Sequence, residues 1–275
     1  MDKINIREIF RKKNPKLAKL IPRFVYKYLE RIVHQEEING FIPILKDQHG
    51  LDFIKTTIDL FKVNIQIEGA DNIPDNGRNI FVANHPLGGL DGIAFAHIVG
   101  KKHSEIKFLV NDILMNLENL NTIFIPVNKH GKQSIAYVKK IETIYESDFQ
   151  VLNFPAGLCS RRINNKIIDL EWKKSFITKA IQHKRDIIPV HISGKNSNFF
   201  YKLSNIRKKL GIKANLEMLY LVDEMFKQKN KCITITFGKP IPYSTFNKTH
   251  HPKDWAARVR KHIYTLKENP FSLFT

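Results

Sequence analysis

The pattern of apolar positions changes character near residue 62. Before it, apolar side chains recur at three- and four-residue spacing, most regularly over residues 16–34, which predicts one helix there and a helical segment over 1–61. Such a helix can lie in a membrane interface, or pack on a protein core with its charged face in solvent, and the pattern fits both. The basic residues on the face opposite the apolar one are Lys16, Lys19, Arg23, Lys27 and Arg31.

After residue 62, short apolar or alternating runs are separated by stretches with helical spacing. This order predicts an α/β domain over residues 62–275, with a mixed, largely buried β-sheet flanked by helices. Pro189 interrupts one apolar run, which indicates an edge strand or a bulge. The predicted strands are 63–67, 80–83, 106–110, 122–127, 150–154, 187–192 and 232–237, and the predicted helices are 134–146, 171–183, most of 195–229, and 253–266.

The composition adds an expectation about partners. Of the 275 residues, 43% are hydrophobic, which is enough for a substantial core. Lysine and arginine number 45 against 26 acidic residues, a net charge of +19, so we expect an anionic partner such as a nucleic acid, a membrane surface or an acidic protein. The charged N-terminus has no signal-peptide pattern, and no apolar run approaches the ~20 residues of a spanning helix. The two cysteines indicate neither a disulfide framework nor a zinc site.

A histidine and an aspartate lie on either side of a glycine-containing turn, directly after the apolar run 80–83. Open α/β sheets bind ligands beyond the carboxyl ends of their strands, and glycines let a substrate approach the backbone. An aspartate that orients a histidine ring makes it a general base for a hydroxyl, so we predict His85 and Asp91 as a catalytic pair. The spacing alone also fits a loop histidine and a helix-capping aspartate. The substrate-binding candidates of this turn are Asn84, Gly88 and Gly89.

A second turn follows the predicted strand 150–154. A Pro-x-Gly turn followed by a serine and two arginines can offer backbone N–H groups and a bidentate cation to an anion. The alternative is a turn that ends a strand, with its arginines in solvent. The candidates here are Phe154, Pro155, Gly157, Ser160, Arg161 and Arg162. We interpret His191, in the apolar run 187–192, as a structural histidine.

In this order, the segments resemble the PlsC-like glycerolipid acyltransferases, the family of 1-acylglycerol-3-phosphate acyltransferase. Residues 84–92 match the catalytic His/Asp block, 154–160 the Phe-Pro-Glu-Gly-Thr-x-Ser block, and 188–194 a late Pro-Val-x-x-x-Gly strand. Residues 122–129 stand where the family has its Phe-Ile-x-Arg block, with Asn128 and Lys129 at the place of the usual arginine. Three features resemble a hemolysin-like branch of the family: an extra residue between histidine and aspartate, Ala156 in place of glutamate, and the motif Asp-Leu-Glu-Trp at 169–172. That branch is similar to the O-acyltransferases of bacterial ornithine and glycine lipids.

The resemblance implies transfer of a fatty acyl group from acyl-ACP or acyl-CoA to the hydroxyl of a lyso-aminolipid or lysophospholipid. His85 would take the acceptor proton, Asp91 would fix the ring tautomer, and backbone N–H groups around Gly157 would stabilise the oxyanion. Arg161, Arg162 and Lys129 would hold an anionic head group or the donor's phosphate. The resemblance implies no metal and no bound cofactor. It also implies a peripheral protein on the cytoplasmic side of the inner membrane, with an anionic membrane surface and the acyl carrier protein or coenzyme A thioester as partners.

Two other classes of function fit part of the sequence. The net charge also fits a nucleic-acid-binding protein, although the basic residues form short scattered clusters without a helix-turn-helix, RRM or zinc-finger signature. A lipid hydrolase could use Cys159 or Ser160 as nucleophile, although an arginine stands where a nucleophile elbow has its second glycine. We expect the acyltransferase interpretation to hold.

Overall fold

A computed structural model describes residues 3–127 and 135–275. The first part is helical, as predicted, but the single helix expected over 16–34 is wrong. It is divided at Pro22, which is extended at ψ 152° and has no N–H to continue a helix. The helices of this part are α1 (Ile6–Lys13), α2 (Pro15–Leu20), α3 (Arg23–Ile32), α4 (Gln35–Leu45) and α5 (Gly50–Phe61).

The rest of the chain alternates strands with helices, as predicted. A short hairpin at 161–168 was not predicted, and the region 195–229 holds two separate helices. The strands are β1 (Asn64–Glu68), β2 (Asn79–Ala83), β3 (Ile106–Val110), β4 (Phe124–Pro126), β5 (Gln150–Asn153), β6 (Arg161–Ile163), β7 (Lys166–Ile168), β8 (Asp186–Ile192) and β9 (Cys232–Phe237). The helices are α6 (Leu90–Lys102), α7 (Ile135–Glu146), α8 (Ser175–His183), α9 (Asn198–Lys209), α10 (Leu221–Phe226) and α11 (Pro252–Leu266).

Within the described residues, seven strands form one mixed sheet in the order β1-β9-β8-β2-β5-β3-β4. All neighbours are parallel except β8 and β9. The strand with Pro189 is therefore central, and the edge position considered for it is wrong. The proline is tolerated because pairing on the β9 side is interrupted opposite it, between Phe237 and Ile241.

Alternate side chains of the central strands point to opposite faces of the sheet, and each face has its own core. Phe81, Leu152 and Ile188 pack with α5 and α6 on one face. Ile80 and Val151 pack with α8 and α11 on the other. This two-sided burial explains why these strands are continuous apolar runs in the sequence.

The boundary predicted at residue 61 does not coincide with a break in packing. Phe53, Ile54, Ile58 and Phe61 of α5 belong to the same apolar core as the sheet. The second half of segment 1–61 is thus part of the α/β body. In the ranges described, no helix is both long and apolar enough to cross a bilayer.

Candidate active site

The site lies where three adjacent parallel strands end at one edge of the sheet. Val82 of β2 pairs with Asn153 of β5, and Ala83 pairs with Val190 of β8. The segments that follow β2 and β5 are the two turns singled out in the sequence, so the sheet register brings them together. This is the edge at which open α/β sheets bind their ligands.

The Asp91 carboxylate organises the turn after β2. It is fully buried in the first turn of α6 and accepts hydrogen bonds from four backbone N–H groups. Oδ2 lies 2.8 Å from the N atom of Leu87, and Oδ1 lies 3.0 Å from those of Gly89 and Gly92. The fourth donor is the N–H of Gly88, 3.3 Å from Oδ2. The turn therefore closes around the carboxylate, and the start of the helix adds its favourable dipole.

Asp91 also determines the state of His85. The Nδ1 atom of His85 lies 2.9 Å from Asp91 Oδ2. Burial alone would raise the pKa of the Asp91 carboxyl, but the charge and hydrogen bond of His85 and the N–H groups of Leu87 and Gly88 hold this pKa below its ordinary value. An ionised carboxylate only accepts hydrogen bonds, so Nδ1–H is the donor in this contact, and the neutral form of the ring has its lone pair on Nε2. This is the arrangement that a general base requires.

The ring of His85 is held on its flat side by Phe154. The two rings are stacked at 4.1 Å between centroids and 17° between planes. Phe154 itself packs on Phe95 and Phe108, so it belongs to the core of that face. The side chain of His85 keeps 16% of its surface exposed, whereas Asp91 has none. The imidazole is therefore fixed in place but partly accessible from solvent.

A second buried carboxylate, Asp169, holds the backbone of the histidine. The N–H of His85 donates to Asp169 Oδ1 at 3.2 Å, and the carbonyl of His85 accepts from the N–H of Ser160 at 2.7 Å. Asp169 in turn accepts from Ser160 Oγ at 2.6 Å and from Trp172 Nε1 at 2.9 Å. Burial raises the pKa of Asp169, although these hydrogen bonds oppose the shift. Sequence reasoning noted the Asp-Leu-Glu-Trp motif without giving Asp169 a role, because its target lies 84 residues away.

A histidine with a buried carboxylate partner fits acyl transfer, and comparison with known proteins identifies the family of the chain. A family model described as "Acyltransferase" matches residues 8–271. The chain belongs to this acyltransferase family.

Curated relatives match the acyltransferase over nearly its whole length. A lyso-glycine lipid O-acyltransferase of Bacteroides thetaiotaomicron is 50% identical over 264 residues, which cover 96% of this chain and 97% of the relative. A protein of the same name from Phocaeicola vulgatus is 49% identical over 264 residues, with coverage of 96% and 95%.

One solved structure supports the fold. The crystal structure of the 1-acyl-sn-glycerophosphate acyltransferase PlsC from Thermotoga maritima matches with a TM-score of 0.50 and 17% identity, over 96% of this chain and 91% of that one. At this level of identity the match concerns the fold alone. The PlsC-like α/β fold implied by the sequence is confirmed.

Several residues predicted to bind substrate instead build the acyltransferase site. The side-chain amide of Asn84 is buried and makes both of its hydrogen bonds to the backbone of Ile192, at 2.8 and 2.7 Å. It joins the ends of β2 and β8, which corrects the expected binding role. The N–H groups of Gly88 and Gly89 point to Asp91, so these glycines serve the turn.

The second turn requires similar corrections. Arg161 is only 1% exposed, and its guanidinium bonds Glu217 Oε1 at 3.0 Å and the carbonyl of Cys159 at 2.7 Å. Its charge is neutralised inside the protein, so the expected anion-binding role is wrong. The N–H of Gly157 donates to the carbonyl of Phe154 at 2.9 Å, within its own turn. Pro155 is buried and its carbonyl accepts from the N–H of Lys173, a structural contact.

Arg162 alone of the two arginines reaches the surface. It is partly exposed, bonds Asn198 Oδ1 at 2.6 Å, and lies over the ring of Tyr201 at 5.1 Å. Asn128 and Lys129 fall outside the described residues. In the chain as described, no three His, Cys, Asp or Glu side chains come together as metal ligands would.

The two nucleophiles of the hydrolase alternative are both engaged. Cys159 is buried, and this burial raises the pKa of its thiol to about 11 against the influence of Arg161. A thiol must ionise to attack, so this environment disfavours nucleophilic catalysis. Ser160 is also buried, and its hydroxyl bonds Asp169 Oδ1 and the backbone carbonyl of His85 rather than a histidine ring. Neither residue has the arrangement of an activated nucleophile.

Proposed function

We propose that this acyltransferase moves a fatty acyl group from a thioester to the hydroxyl of a lyso-glycine lipid. The observation that carries the proposal is the oriented, partly exposed His85 beside the buried Asp91. The acceptor follows from the two relatives of about 50% identity whose name states that substrate. Since family membership accounts for a lipid-directed enzyme, the positive charge requires no nucleic acid to explain it.

In the proposed reaction, His85 acts as a general base. The acceptor oxygen attacks the carbonyl carbon of the thioester while its proton passes to Nε2 of His85. The tetrahedral intermediate then collapses, the carbon–sulfur bond breaks, and the imidazolium returns the proton to the departing thiolate. The products are an ester and a free thiol, and the enzyme regains its neutral histidine. Asp91 stabilises the imidazolium between the two proton transfers.

We assign the donor to the class of acyl-ACP or acyl-CoA thioesters. Both carry negative charge on the carrier, as the phosphates of coenzyme A or the acidic side chains of the carrier protein, and a protein with a net charge of +19 attracts either one. Arg162 is the cation of the second turn that remains open to such a ligand. Oxyanion stabilisation requires backbone donors next to the Gly157 turn, since the N–H of Gly157 is used within it.

We also place the enzyme at a membrane surface as a peripheral protein. A lyso-lipid acceptor resides in the bilayer, and basic residues near an anionic surface contribute ~1 kcal/mol each. The α2–α3 region carries exposed Leu20 and Phe24 next to Arg23 and Lys27, which fits an interfacial position. The cytoplasmic face of the inner membrane is the side on which acyl-ACP and acyl-CoA are expected.

The test is transfer of a labelled acyl chain to a detergent-dispersed lyso-glycine lipid, with acyl-ACP and acyl-CoA as separate donors. For His85→Ala we expect turnover to fall by about 10²–10⁴-fold because the base is lost, while the chain still folds, since Asp91 keeps its four backbone N–H donors. The matched control is His251→Ala, which changes an exposed histidine. Near-normal turnover in His85→Ala would refute the role of the base, and no transfer to this acceptor by the wild type would refute the substrate.

A second variant tests the orienting role of the carboxylate. Asp91→Asn places an amide that can present an N–H to Nδ1, which favours the tautomer with its lone pair on the wrong atom. We expect turnover to fall by up to about 10⁴-fold while acceptor KM changes little, since losing an orienting aspartate has such an effect in hydrolase triads. A variant that loses affinity for the acceptor but keeps its turnover would argue for a binding role instead.

A further inference from the structure

The outward side of α9 carries apolar side chains among its lysines. Ile206 is 54% exposed and Leu210 is 69% exposed, on the same helix face as the exposed Phe199. The side of the helix that faces the protein carries Ser204 and Arg207 at the same level, both buried. A surface helix ordinarily has the opposite arrangement, with its apolar residues inward. Near its end, α9 therefore exposes apolar side chains while it buries a serine and an arginine.

Buried ionic contacts fix this orientation. Arg207 Nε lies 2.6 Å from Glu217 Oε2, and Ser204 Oγ lies 3.3 Å from Glu217 Oε1. Glu217 also pairs with the buried Arg161. A rotation of α9 that buried Ile206 and Leu210 would break this network. It would leave a buried charge without its partner, which is strongly unfavourable. The exposed apolar side chains are thus held outward by the fold.

The apolar surface continues beyond α9. In the turn that follows, Leu219 is 61% exposed, and Ile212 and Leu216 are exposed as well. We call residues 198–220 the 198–220 face. Tyr220 at its end bonds Tyr28 of α3 through the hydroxyl oxygens, 2.6 Å apart. The face therefore adjoins the helix that carries exposed Phe24.

The exposed charges of the 198–220 face are all positive. Its single acidic residue, Glu217, is buried and paired with two arginines. The neighbouring α1–α3 region adds a hollow lined by cations, of which Arg7 is paired with Glu30. Apolar side chains among cations fit a surface that is apolar inside and anionic at its boundary. The exposed charged residues of the face are Lys202, Lys208, Lys209 and Lys213, and the cations of the hollow are Arg7, Arg11, Arg23 and Lys27.

The face lies next to the catalytic turn. Leu221 begins α10 directly after it, and a Cβ atom on Gly88 would lie 2.7 Å from the side chain of Leu221. On the other side, Arg162 of the second turn contacts Asn198 and Tyr201 of α9. A partner that binds the 198–220 face therefore lies next to the turn that carries His85.

We infer that the 198–220 face docks the enzyme on an anionic lipid bilayer, with Ile206, Leu210 and Leu219 inserted between head groups and the lysines at the phosphate level. The inference rests on the proposed function in one respect, since a lipid acceptor in the membrane must reach His85. It adds a docking surface on the α/β body, which continues the exposed apolar and basic surface of α2 and α3. The bilayer is favoured over a protein partner because the apolar and cationic residues extend over two distant parts of the chain, 20–28 and 198–220.

The experiment is co-sedimentation of the full chain with vesicles of phosphatidylglycerol and phosphatidylcholine, compared with vesicles of phosphatidylcholine alone. The test variant is Leu210→Ser with Leu219→Ser, and the matched control is Ile181→Ser, an exposed apolar residue on α8. We expect the double variant to bind anionic vesicles at least about tenfold more weakly than the wild type, and the control to bind like the wild type. Both should keep wild-type transfer to detergent-dispersed acceptor, which shows that the fold is intact.

Three results would overturn the inference. The first is unchanged vesicle affinity in the double variant. The second is a wild-type dimer that the double variant dissociates without any loss of vesicle binding, because the occupant would then be a second copy. The third is an equal loss of affinity in the Ile181→Ser control. Vesicle binding needs no turnover, so an enzyme that binds vesicles but fails to acylate the dispersed acceptor would refute the proposed function and leave the docking face intact.

Discussion

At the scale of the residue, the site depends on two carboxylates with different tasks. Asp91 bonds the ring of His85, and Asp169 bonds its backbone N–H. In the proposed reaction Asp91 sets which nitrogen of the imidazole is basic, whereas Asp169 fixes the position of the His85 backbone. Asp169 touches no reacting atom in that reaction, so we expect it to act as a positioning residue.

The positioning role of Asp169 predicts a graded response to substitution. Asp169→Asn keeps an oxygen that can accept from the N–H of His85, whereas Asp169→Ala removes the acceptor of that N–H and of Trp172 Nε1 in a buried place. We expect Asp169→Ala to lower turnover by about tenfold or more and to lower the free energy of unfolding by about 1–3 kcal/mol. Asp169→Asn should recover much of both.

Transfer kinetics and urea unfolding, measured on the two variants, check this prediction. Equal loss of turnover in both variants would instead indicate that the charge of Asp169 takes part in the reaction. A loss of stability in Asp169→Ala without any loss of turnover would indicate a purely structural residue.

At the scale of the element, the turn between β2 and α6 imposes its own backbone. Gly88 has φ +83°, and a Cβ there would lie 2.7 Å from Leu221 Cδ2 and 3.2 Å from Cys159 Sγ. The turn thus needs glycine for two reasons, the left-handed backbone and the close approach of α10. The first reason alone applies to Gly77, which has φ +91° and only an ordinary contact at 3.9 Å.

This pair of glycines gives a matched test of the turn. Gly77→Ala should lower the free energy of unfolding by about 1–2 kcal/mol through backbone strain, with normal turnover. Gly88→Ala carries similar strain and a contact that forces Leu221 or the turn to move, so we expect a larger loss of stability and a clear fall in turnover. Urea unfolding and transfer kinetics measure both. Equal behaviour of the two variants would show that contact with α10 does not matter to the site.

At the scale of the whole molecule, deep burial in the two-sided core affects stability against acid. His191 of β8 is buried, and this burial, assisted by the charge of Lys267, lowers the pKa of its imidazole to about 4 from 6.5. The folded protein therefore keeps His191 neutral in a pH range where the unfolded chain takes up a proton. Its contribution to stability is present above pH 6.5 and is lost as the pH falls towards 4.

The corresponding prediction concerns unfolding by urea at two pH values. Between about pH 7.5 and about pH 5, titration of His191 should cost about 2 kcal/mol of the free energy of unfolding. His191→Gln, which cannot take up a proton, should lose less stability over that interval, while His251→Gln at an exposed position should behave like the wild type. The same dependence on pH in His191→Gln and the wild type would contradict the prediction.

The sequence by itself determined the alternation of strands and helices, the turns after β2 and β5, and the pair of His85 and Asp91. These features are local: apolar periodicity, glycines and prolines act within a few residues, and the pair is separated by a single turn. Pro22 and Pro189 show the limit of such patterns, since one divided a predicted helix and the other was accommodated in a central strand.

Only the tertiary structure decided what surrounds the pair. Asn84 bonds Ile192 across 108 residues, Asp169 reaches His85 across 84, and Arg161 turns inward to Glu217 across 56. Contacts between distant residues leave no periodic pattern in the sequence. The sequence around an arginine does not show whether its side chain faces solvent or a buried carboxylate. The direction of such side chains is set by which partner the packed fold brings within hydrogen-bonding distance, because a buried charge without a partner is too unfavourable to persist.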